Sequence, residues 1–146
     1  METDPPKAFE EYAPKAGRFA LTPELSPEQE LAILCHALFA EGYDDHIAGH
    51  ISYRQDDGTF LINPWELAWD EITASDIIRI DVEGNVIAGD WNVTPANLLH
   101  RAIHEVRSDA NIIIHNHPRY ASIWSMRQEV PKTFDQTGAN INGDIK

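Results

Sequence analysis

The sequence feature that most limits the fold of this chain is an apolar run that ends in two histidines, Asn111-Ile112-Ile113-Ile114-His115-Asn116-His117-Pro118. Consecutive isoleucines favour a β-strand, in which side chains alternate between the two faces of a sheet. His115 and His117 therefore point the same way and can share one metal ion. Imidazole suits zinc and its first-row neighbours, and a catalytic zinc site needs about three protein ligands plus an open position. This pair supplies two ligands, and a hydrogen-bonded surface pair remains the alternative.

Size and charge narrow the class of protein. The chain has 146 residues, of which 42% are hydrophobic and 24% charged, as in one soluble domain with its own core. The net charge of −13 argues against a nucleic-acid partner and against docking on an anionic membrane. No segment approaches the roughly 20 apolar residues of a membrane-spanning helix, and the N-terminus lacks the pattern of a signal peptide. The single Cys35 excludes an internal disulfide and falls in a helical apolar register, so we expect a core cysteine in a cytoplasmic protein.

The first half of the chain predicts an arm, a helix and two hairpins. Residues 1–22 are predicted as a mobile N-terminal arm, and residues 23–146 as one domain. Ser26, Pro27 and Gln29 predict a helix start with a capping box, and Gly42 can end that helix. Turn residues then predict hairpins that join residues 50–54 to 59–63 and 77–82 to 86–88.

The second half predicts two helices around the strand that carries the histidine pair. Residues 95–106 are predicted as a helix with Thr94 as its cap, 110–115 as a buried strand and 118–125 as another short helix. Beyond Glu129 the pattern fades, and residues 132–146 show no clear element. Helices alternating with hairpins indicate the α/β class with a mostly antiparallel sheet.

A second histidine pair lies on the predicted helix before that strand. His100 and His104 have i, i+4 spacing and would share one helical face. They could bind metal themselves, but no acidic residue stands at the spacing of a zincin helix. His104 is predicted as a solvated or core-edge histidine. His100 could face the same cleft as His115 and His117, where it would orient a ligand or bind substrate.

A glycine at the entrance of the first predicted strand could allow close backbone approach. Gly49 precedes His50, Ser52 and Arg54, whose donors could hold an anion. The alternative is a plain turn into an edge strand. The tryptophans are predicted as core and interface aromatics, not as a base-stacking platform, because the chain is acidic; they are Trp65, Trp69, Trp91 and Trp124.

Taken in order, these segments resemble the class II aldolase and adducin head-domain family from about Ser26 to about Met126. The ordered set is specific although no single motif is. It comprises Gly49-His50-Ile51-Ser52-Tyr53-Arg54, Phe60-Leu61-Ile62-Asn63-Pro64, Ile72-Thr73-Ala74-Ser75-Asp76-Ile77, Asp81-Val82-Glu83-Gly84-Asn85, His100-Arg101-Ala102-Ile103-His104 and His115-Asn116-His117.

The resemblance implies a three-layer α/β/α domain with a mostly antiparallel central sheet, usually assembled as a tetramer with sites at subunit boundaries. It also implies zinc held by three histidines, two of which match His115 and His117, in a Lewis-acid role toward a carbonyl oxygen. In phosphate-using members of the family, three segments hold the substrate phosphate. They match Gly49-His50, Trp65-Glu66 and Thr94-Pro95.

Departures from the family pattern bear on the reaction. The acid/base glutamate of the sugar-phosphate aldolases is replaced by Ala96, Glu66 stands where a glycine belongs and would repel a phosphate, and His50 replaces an asparagine. The third zinc histidine belongs to a later segment than Lys146, which predicts a fragment or a site completed by another residue or subunit. A small residue also replaces the glutamate in the adducin-like branch, which this pattern resembles more closely.

The sequence therefore predicts a metal-dependent, lyase-like protein acting on a small oxygenated (carbonyl or hydroxy) substrate. His115 and His117 would bind Zn²⁺ or another divalent metal such as Mn²⁺, with a third ligand not found in the chain. His100 and His50 would do acid/base work. The predicted substrate contacts are Gly49, Ser52, Asn63 and Thr94. Two alternatives stay open: a non-catalytic adducin-like assembly module, and a truncated product without stable activity.

Overall fold

The computed structural model describes residues 24–129 and 132–133. The predicted N-terminal arm and most of residues 132–146 lie outside this part of the chain, so those predictions stay predictions. Within the described residues, no helix has the length and apolar character needed to cross a membrane.

The first helix, α1 (Pro27–Ala40), begins and ends where the sequence predicts. Ser26 Oγ accepts a hydrogen bond from the backbone of Gln29, and Gln29 Oε1 accepts one from the backbone of Ser26, so both members of the capping box are formed. Gly42 has a φ of +75°, and its N–H donates to the Phe39 carbonyl. This left-handed residue stops the helix because glycine adopts it without steric cost.

In the part of the chain that the structure describes, five strands form one sheet in which every pairing is antiparallel. Both predicted hairpins are present: β1 pairs with β2, and β3 pairs with β4. The spatial order is β4-β3-β2-β1-β5, so the strand that carries His115 returns to lie beside β1 at the edge of the sheet. The strands are β1 (His50–Arg54), β2 (Phe60–Ile62), β3 (Ile78–Ile80), β4 (Val86–Ala88) and β5 (Ile112–His115).

Alternation along β1 and β2 gives the sheet two different faces. One face carries Ile51 and Leu61, which pack against Leu31 and Cys35 of α1 and against Trp69. Cys35 is completely buried, as predicted, and burial raises the pKa of its thiol to about 12, which keeps the thiol protonated.

The opposite face of the sheet is covered by the second helix, α2 (Asn97–Val106). This face carries Ser52 on β1 and Phe60 on β2, and both contact His104 of α2. With α1 on one side and α2 on the other, the domain has the predicted α/β/α layers. Among the described residues, the remaining regular elements are a 3-10 helix (Ala74–Asp76) and α3 (Arg119–Met126).

Two predictions about local structure were wrong. The strand of residues 110–115 is not buried: in β5 the side chains of Ile112 and Ile114 are more than 40% exposed, because the strand lies at the sheet edge and α1 does not cover it. Helix α2 begins at Asn97, and Ala96 occupies the cap position without a side-chain bond. Thr94 lies two residues before this cap position, where its hydroxyl accepts a bond from the backbone of Ala96.

The tryptophans differ in burial. Trp69 is completely buried in the core, as predicted, whereas Trp65 and Trp91 are exposed. Trp124 on α3 is partly buried, and its indole nitrogen has no partner among the described residues.

Candidate metal centre and the buried histidine row

The register between β1 and β5 places His50 directly opposite His115. Side chains of directly paired residues lie on the same face of a sheet, so the two imidazoles meet. Their rings stack with centroids 4.5 Å apart and planes within 7° of parallel. The strand pairing thus brings together residues that are 65 positions apart in the sequence (115 − 50).

His117 lies two residues beyond His115 and points to the same side of the sheet. The two Nε2 atoms are 3.1 Å apart. The other ring nitrogen of His117, Nδ1, bonds to the carboxylate of Asp45. A carboxylate accepts the Nδ1 proton, which leaves the Nε2 of a neutral His117 as a lone pair aimed toward His115.

This donor set fits a divalent metal ion. Two nitrogens bound to one tetrahedral zinc at about 2.0–2.1 Å lie roughly 3.3–3.4 Å apart, close to the observed separation of the Nε2 atoms. A carboxylate behind a metal-binding histidine is the usual arrangement that fixes its ring. Within residues 24–129 and 132–133, however, no group of three His, Cys, Asp or Glu side chains could hold a metal. The described residues therefore offer two candidate ligands, His115 and His117, and the Asp45 carboxylate behind His117.

On the other side of His50, a row of hydrogen bonds runs into the core. His50 Nδ1 lies 2.6 Å from His100 Nε2, and Ser52 Oγ lies 2.7 Å from His100 Nδ1 and 2.9 Å from His104 Nε2. The row ends where His104 Nδ1 lies 3.1 Å from the carbonyl of Ala110. All four side chains of the row are at most 5% exposed. The predicted shared face of His100 and His104 is confirmed, but His104 is buried and not solvated.

Burial keeps the row neutral at ordinary pH. It lowers the pKa of His50 to about 4 and that of His100 to about 3, with smaller contributions from neighbouring histidines. Burial also lowers the pKa of His104, which the nearby Arg54 cation lowers further. A neutral imidazole can accept a proton, so His50 and His100 keep the property that an acid/base role requires.

Gly49 and Asn63 form a rigid support beside His50. A Cβ built on Gly49 would lie 2.6 Å from the Trp69 ring, so the close approach that glycine allows here is made by an indole. The Gly49 carbonyl accepts bonds from Trp69 Nε1 and from Asn63 Nδ2, and Asn63 Oδ1 accepts the backbone N–H of Ile51. Substrate contacts by Gly49, Ser52 and Asn63 stay predictions, since the polar side chains of Ser52 and Asn63 already bond within the protein.

Two of the segments predicted to match phosphate-binding loops, Trp65-Glu66 and Thr94-Pro95, lie close together. The backbone N–H of Trp65 donates to the Asn92 carbonyl, and the Glu66 carboxylate accepts both the backbone and the side-chain N–H of Asn92. The Asn92 side chain lowers the pKa of Glu66, so this carboxylate is charged at neutral pH. Thr94 follows two residues later and is buried. An acidic side chain of the protein therefore already occupies donors that an anionic ligand could use.

Sequence reasoning missed Asp45 and Trp69 as parts of the site. Asp45 stands 72 residues before His117, and its loop meets the end of β5 through a bond from Asn116 to the Tyr43 carbonyl. No spacing rule connects residues so far apart. A hint was available in the acidic pair at 44–45 just before the strand that carries His50.

Both the sequence and the fold of this chain are similar to those of known proteins. The family described as Class II Aldolase and Adducin N-terminal domain matches residues 29–146. The chain belongs to this class II aldolase and adducin family. The resemblance seen in the sequence motifs is confirmed.

The proteins similar to this chain carry names that describe different functions. An adducin-related protein of Schizosaccharomyces pombe is 37% identical over 109 residues, which cover 68% of this chain and 34% of that protein. An L-fuculose 1-phosphate aldolase from Glaciozyma antarctica has a similar structure, with a TM-score of 0.74 and 27% identity over 84% of this chain and 55% of the aldolase. An aldolase II superfamily protein from Pseudomonas syringae also gives a TM-score of 0.74, with 28% identity over 82% of this chain and 52% of that protein. The match spans about a third of the length of the adducin-related protein and of a putative class 2 aldolase protein of Caulobacter vibrioides.

Proposed function

We propose that this protein is a metal-dependent, lyase-type member of the class II aldolase and adducin family that acts on a small carbonyl or hydroxy substrate. The observation that carries the proposal is the convergence of His115 Nε2 and His117 Nε2, with Asp45 behind His117. Zn²⁺ suits this donor set, and Mn²⁺ is the other candidate. The remaining coordination positions would be filled by a group outside the described residues or from another subunit, and by substrate.

The chain's own residues have distinct roles in this proposal. A divalent metal, when bound, supplies Lewis-acid polarisation of a substrate oxygen. Asp45 fixes the ring of His117, and the stacking of His50 on His115 brings a neutral base next to the pair. His50 Nε2 bonds to no described residue. Among the described residues, every fully buried side-chain nitrogen or oxygen atom has a hydrogen-bond partner except Trp124 Nε1, so His50 Nε2 is not fully buried. His50 Nε2 therefore retains access to a proton of a substrate placed at the pair.

The substrate we propose carries no phosphate at the Trp65–Glu66 loop. Glu66 is held by Asn92 and is negative, so it repels a second anion and competes for the same N–H donors. Ala96 at the start of α2 has no titratable group, so proton transfer falls to His50, which His100 supports through the contact of its Nε2 with His50 Nδ1. The proposed activity is therefore a lyase reaction other than sugar-phosphate aldol cleavage.

Binding of glycolohydroxamate, a planar bidentate oxygen ligand, tests this function without knowledge of the substrate. Calorimetric titration of zinc-loaded protein is expected to show binding that disappears after chelation and in the His115→Ala variant. The matched control His36→Ala changes an exposed histidine on the α1 side of the sheet and should bind as the wild type does. Equal binding with and without metal would contradict the proposal.

A second candidate, a non-catalytic adducin-like assembly module, is favoured by exposed apolar side chains near the edge strand and α3. They are Ile112, Ile114, Tyr120, Ile123 and Met126. Exposed apolar side chains of this size are common at contacts between proteins. Light scattering separates the candidates when combined with metal analysis: a stable oligomer that binds no metal supports the module. Binding of stoichiometric metal supports the lyase in either oligomeric state.

A further inference from the structure

The buried row of histidines has only one arrangement of protons that satisfies every contact. The row is Ala110 carbonyl, His104, Ser52, His100 and His50, joined by four contacts of 2.6–3.1 Å. Each neutral imidazole has one N–H donor and one lone pair, and a serine hydroxyl has one hydrogen to donate. The direction of each hydrogen bond therefore depends on its neighbour.

The carbonyl of Ala110 sets the direction because it can only accept. His104 must donate from Nδ1, so its Nε2 is a lone pair that accepts the hydroxyl hydrogen of Ser52. Ser52 Oγ then accepts from Nδ1 of His100, which leaves His100 Nε2 as a lone pair. Its partner, His50 Nδ1, must donate. All three histidines are thus Nδ1–H tautomers, and the Nε2 of His50 carries no proton.

We propose that Ser52, His100 and His104 are positioning residues whose hydrogen bonds, oriented by the Ala110 carbonyl, lock His50 in the tautomer that presents a bare Nε2 beside the His115–His117 pair. The use of that lone pair as a base rests on the proposed function. The tautomer assignment does not, since it follows from the four contacts between neutral imidazoles, the Ser52 hydroxyl and the Ala110 carbonyl.

The far end of the row is rigid, as a lock requires. His104 stacks on Phe60 with ring centroids 4.9 Å apart, and its carbonyl accepts a bond from the Arg54 guanidinium. The Arg54 charge also disfavours a second proton on His104. In its neutral state, His104 keeps a bare Nε2 that accepts the hydroxyl hydrogen of Ser52.

Ser52 is the one link of the row that is not an imidazole. It lies between two histidines spaced one helical turn apart on α2, and its hydroxyl donates to one and accepts from the other. Replacing Ser52 with alanine removes both bonds with little change in volume. His100 would then be free to exchange its proton between its two nitrogens, and His50 would follow.

Long-range ¹H–¹⁵N correlation spectra of the metal-free full chain test the assignment directly, since protonated and bare imidazole nitrogens differ widely in ¹⁵N shift. Single His→Gln variants assign each ring. The expected spectrum at neutral pH shows a protonated Nδ1 and a bare Nε2 for His50, His100 and His104. A protonated Nε2 on His50 would overturn the proposal.

Two sets of variants separate a tautomer lock from simple packing. Ser52→Ala should move the ¹⁵N shifts of both His50 nitrogens to averaged values. The matched control Ser75→Ala should leave these shifts unchanged. Ser52→Thr restores a hydroxyl and should restore the wild-type shifts. A second pair of variants serves if Ser52→Ala does not fold. His104→Gln keeps an acceptor for the Ser52 hydroxyl and should preserve the ¹⁵N shifts of His50. His104→Leu has no acceptor and should lose the wild-type shifts. Unchanged His50 shifts in Ser52→Ala or His104→Leu would overturn the lock.

This readout is independent of the proposed function. Protein that shows the expected tautomers but binds no metal would contradict the metal-dependent activity and leave the lock intact. Protein that binds metal with His50 in the other tautomer would do the reverse.

Discussion

His50 of β1 and His115 of β5 are direct partners in the sheet, and their rings stack in parallel at 4.5 Å. This contact joins two structures of different character. On one side lies a partly exposed nitrogen pair suited to a metal ion, and on the other a dry row of neutral histidines held by Ser52. A base adjacent to a Lewis acid is the minimum that proton abstraction next to a carbonyl group requires.

Asp45 is predicted to support metal affinity without binding the metal. Asp45→Asn weakens the acceptor behind His117 Nδ1, so zinc affinity should fall roughly 10–100-fold, the range typical when such a supporting partner is lost. Competition with a fluorescent chelator measures the dissociation constant. Asp44→Asn, which changes the neighbouring residue, is the matched control. Wild-type affinity in Asp45→Asn would show that the carboxylate does not orient the ring.

Glu66 is predicted to select against phosphate. The phosphate ester of glycolohydroxamate should bind to the wild-type protein no more tightly than glycolohydroxamate itself does. Glu66→Gln removes the negative charge but keeps an oxygen that can accept from Asn92, so this variant should bind the phosphate ester more tightly than the wild type does. Glu83→Gln in the β3–β4 turn is the control. An ester that already binds more tightly than its parent to the wild type would contradict this account of selectivity.

Gly49 is predicted to be required for packing against Trp69. Gly49→Ala places a methyl group 2.6 Å from the indole, and such overpacking costs about 1–3 kcal/mol in the free energy of unfolding. Trp69→Phe removes part of the obstructing ring, so the cost of Gly49→Ala should be smaller in that background. Denaturant unfolding of the four proteins gives the coupling. Equal costs in both backgrounds would mean that the strain lies elsewhere.

Acid is predicted to destabilise the metal-free fold through the buried row. Burial lowers the pKa of His100 from 6.5 to about 3, so between these pH values the unfolded chain binds a proton that the folded chain does not. The stabilisation is complete above pH 6.5 and is lost as the pH falls toward 3. His100→Gln cannot titrate and should flatten the dependence of the unfolding free energy on pH in this window. His36→Gln, at an exposed site, should keep the wild-type slope.

Most of the fold could be predicted from local patterns. The capping box at Ser26, the left-handed Gly42 and the turn residues of both hairpins each act over a few residues, and the structure forms all of them. The burial of β5 was predicted wrongly because an isoleucine run fits an edge strand as well as a central one. Position in a sheet depends on which strands pair, and no local pattern of residues 110–115 reports that pairing.

The candidate site was predictable only in part for a similar reason. Spacing placed His115 with His117, and His100 with His104, because strand and helix periodicities act within one element. The contacts that connect these pairs, through Ser52 and through the stacking of His50, arise from long-range packing. Neither the supporting role of Asp45 nor the bracing role of Asn63 has a sequence signature.

Metal content of the purified protein tests the central claim most directly. Elemental analysis after gel filtration in zinc-containing buffer should find one zinc per site in the wild type and in His36→Ala. It should find little or none in His115→Ala and His117→Ala, with all four proteins folded by circular dichroism. Folded wild-type protein that retains no zinc or manganese, or histidine variants that retain as much as the wild type, would contradict a metal centre at this pair.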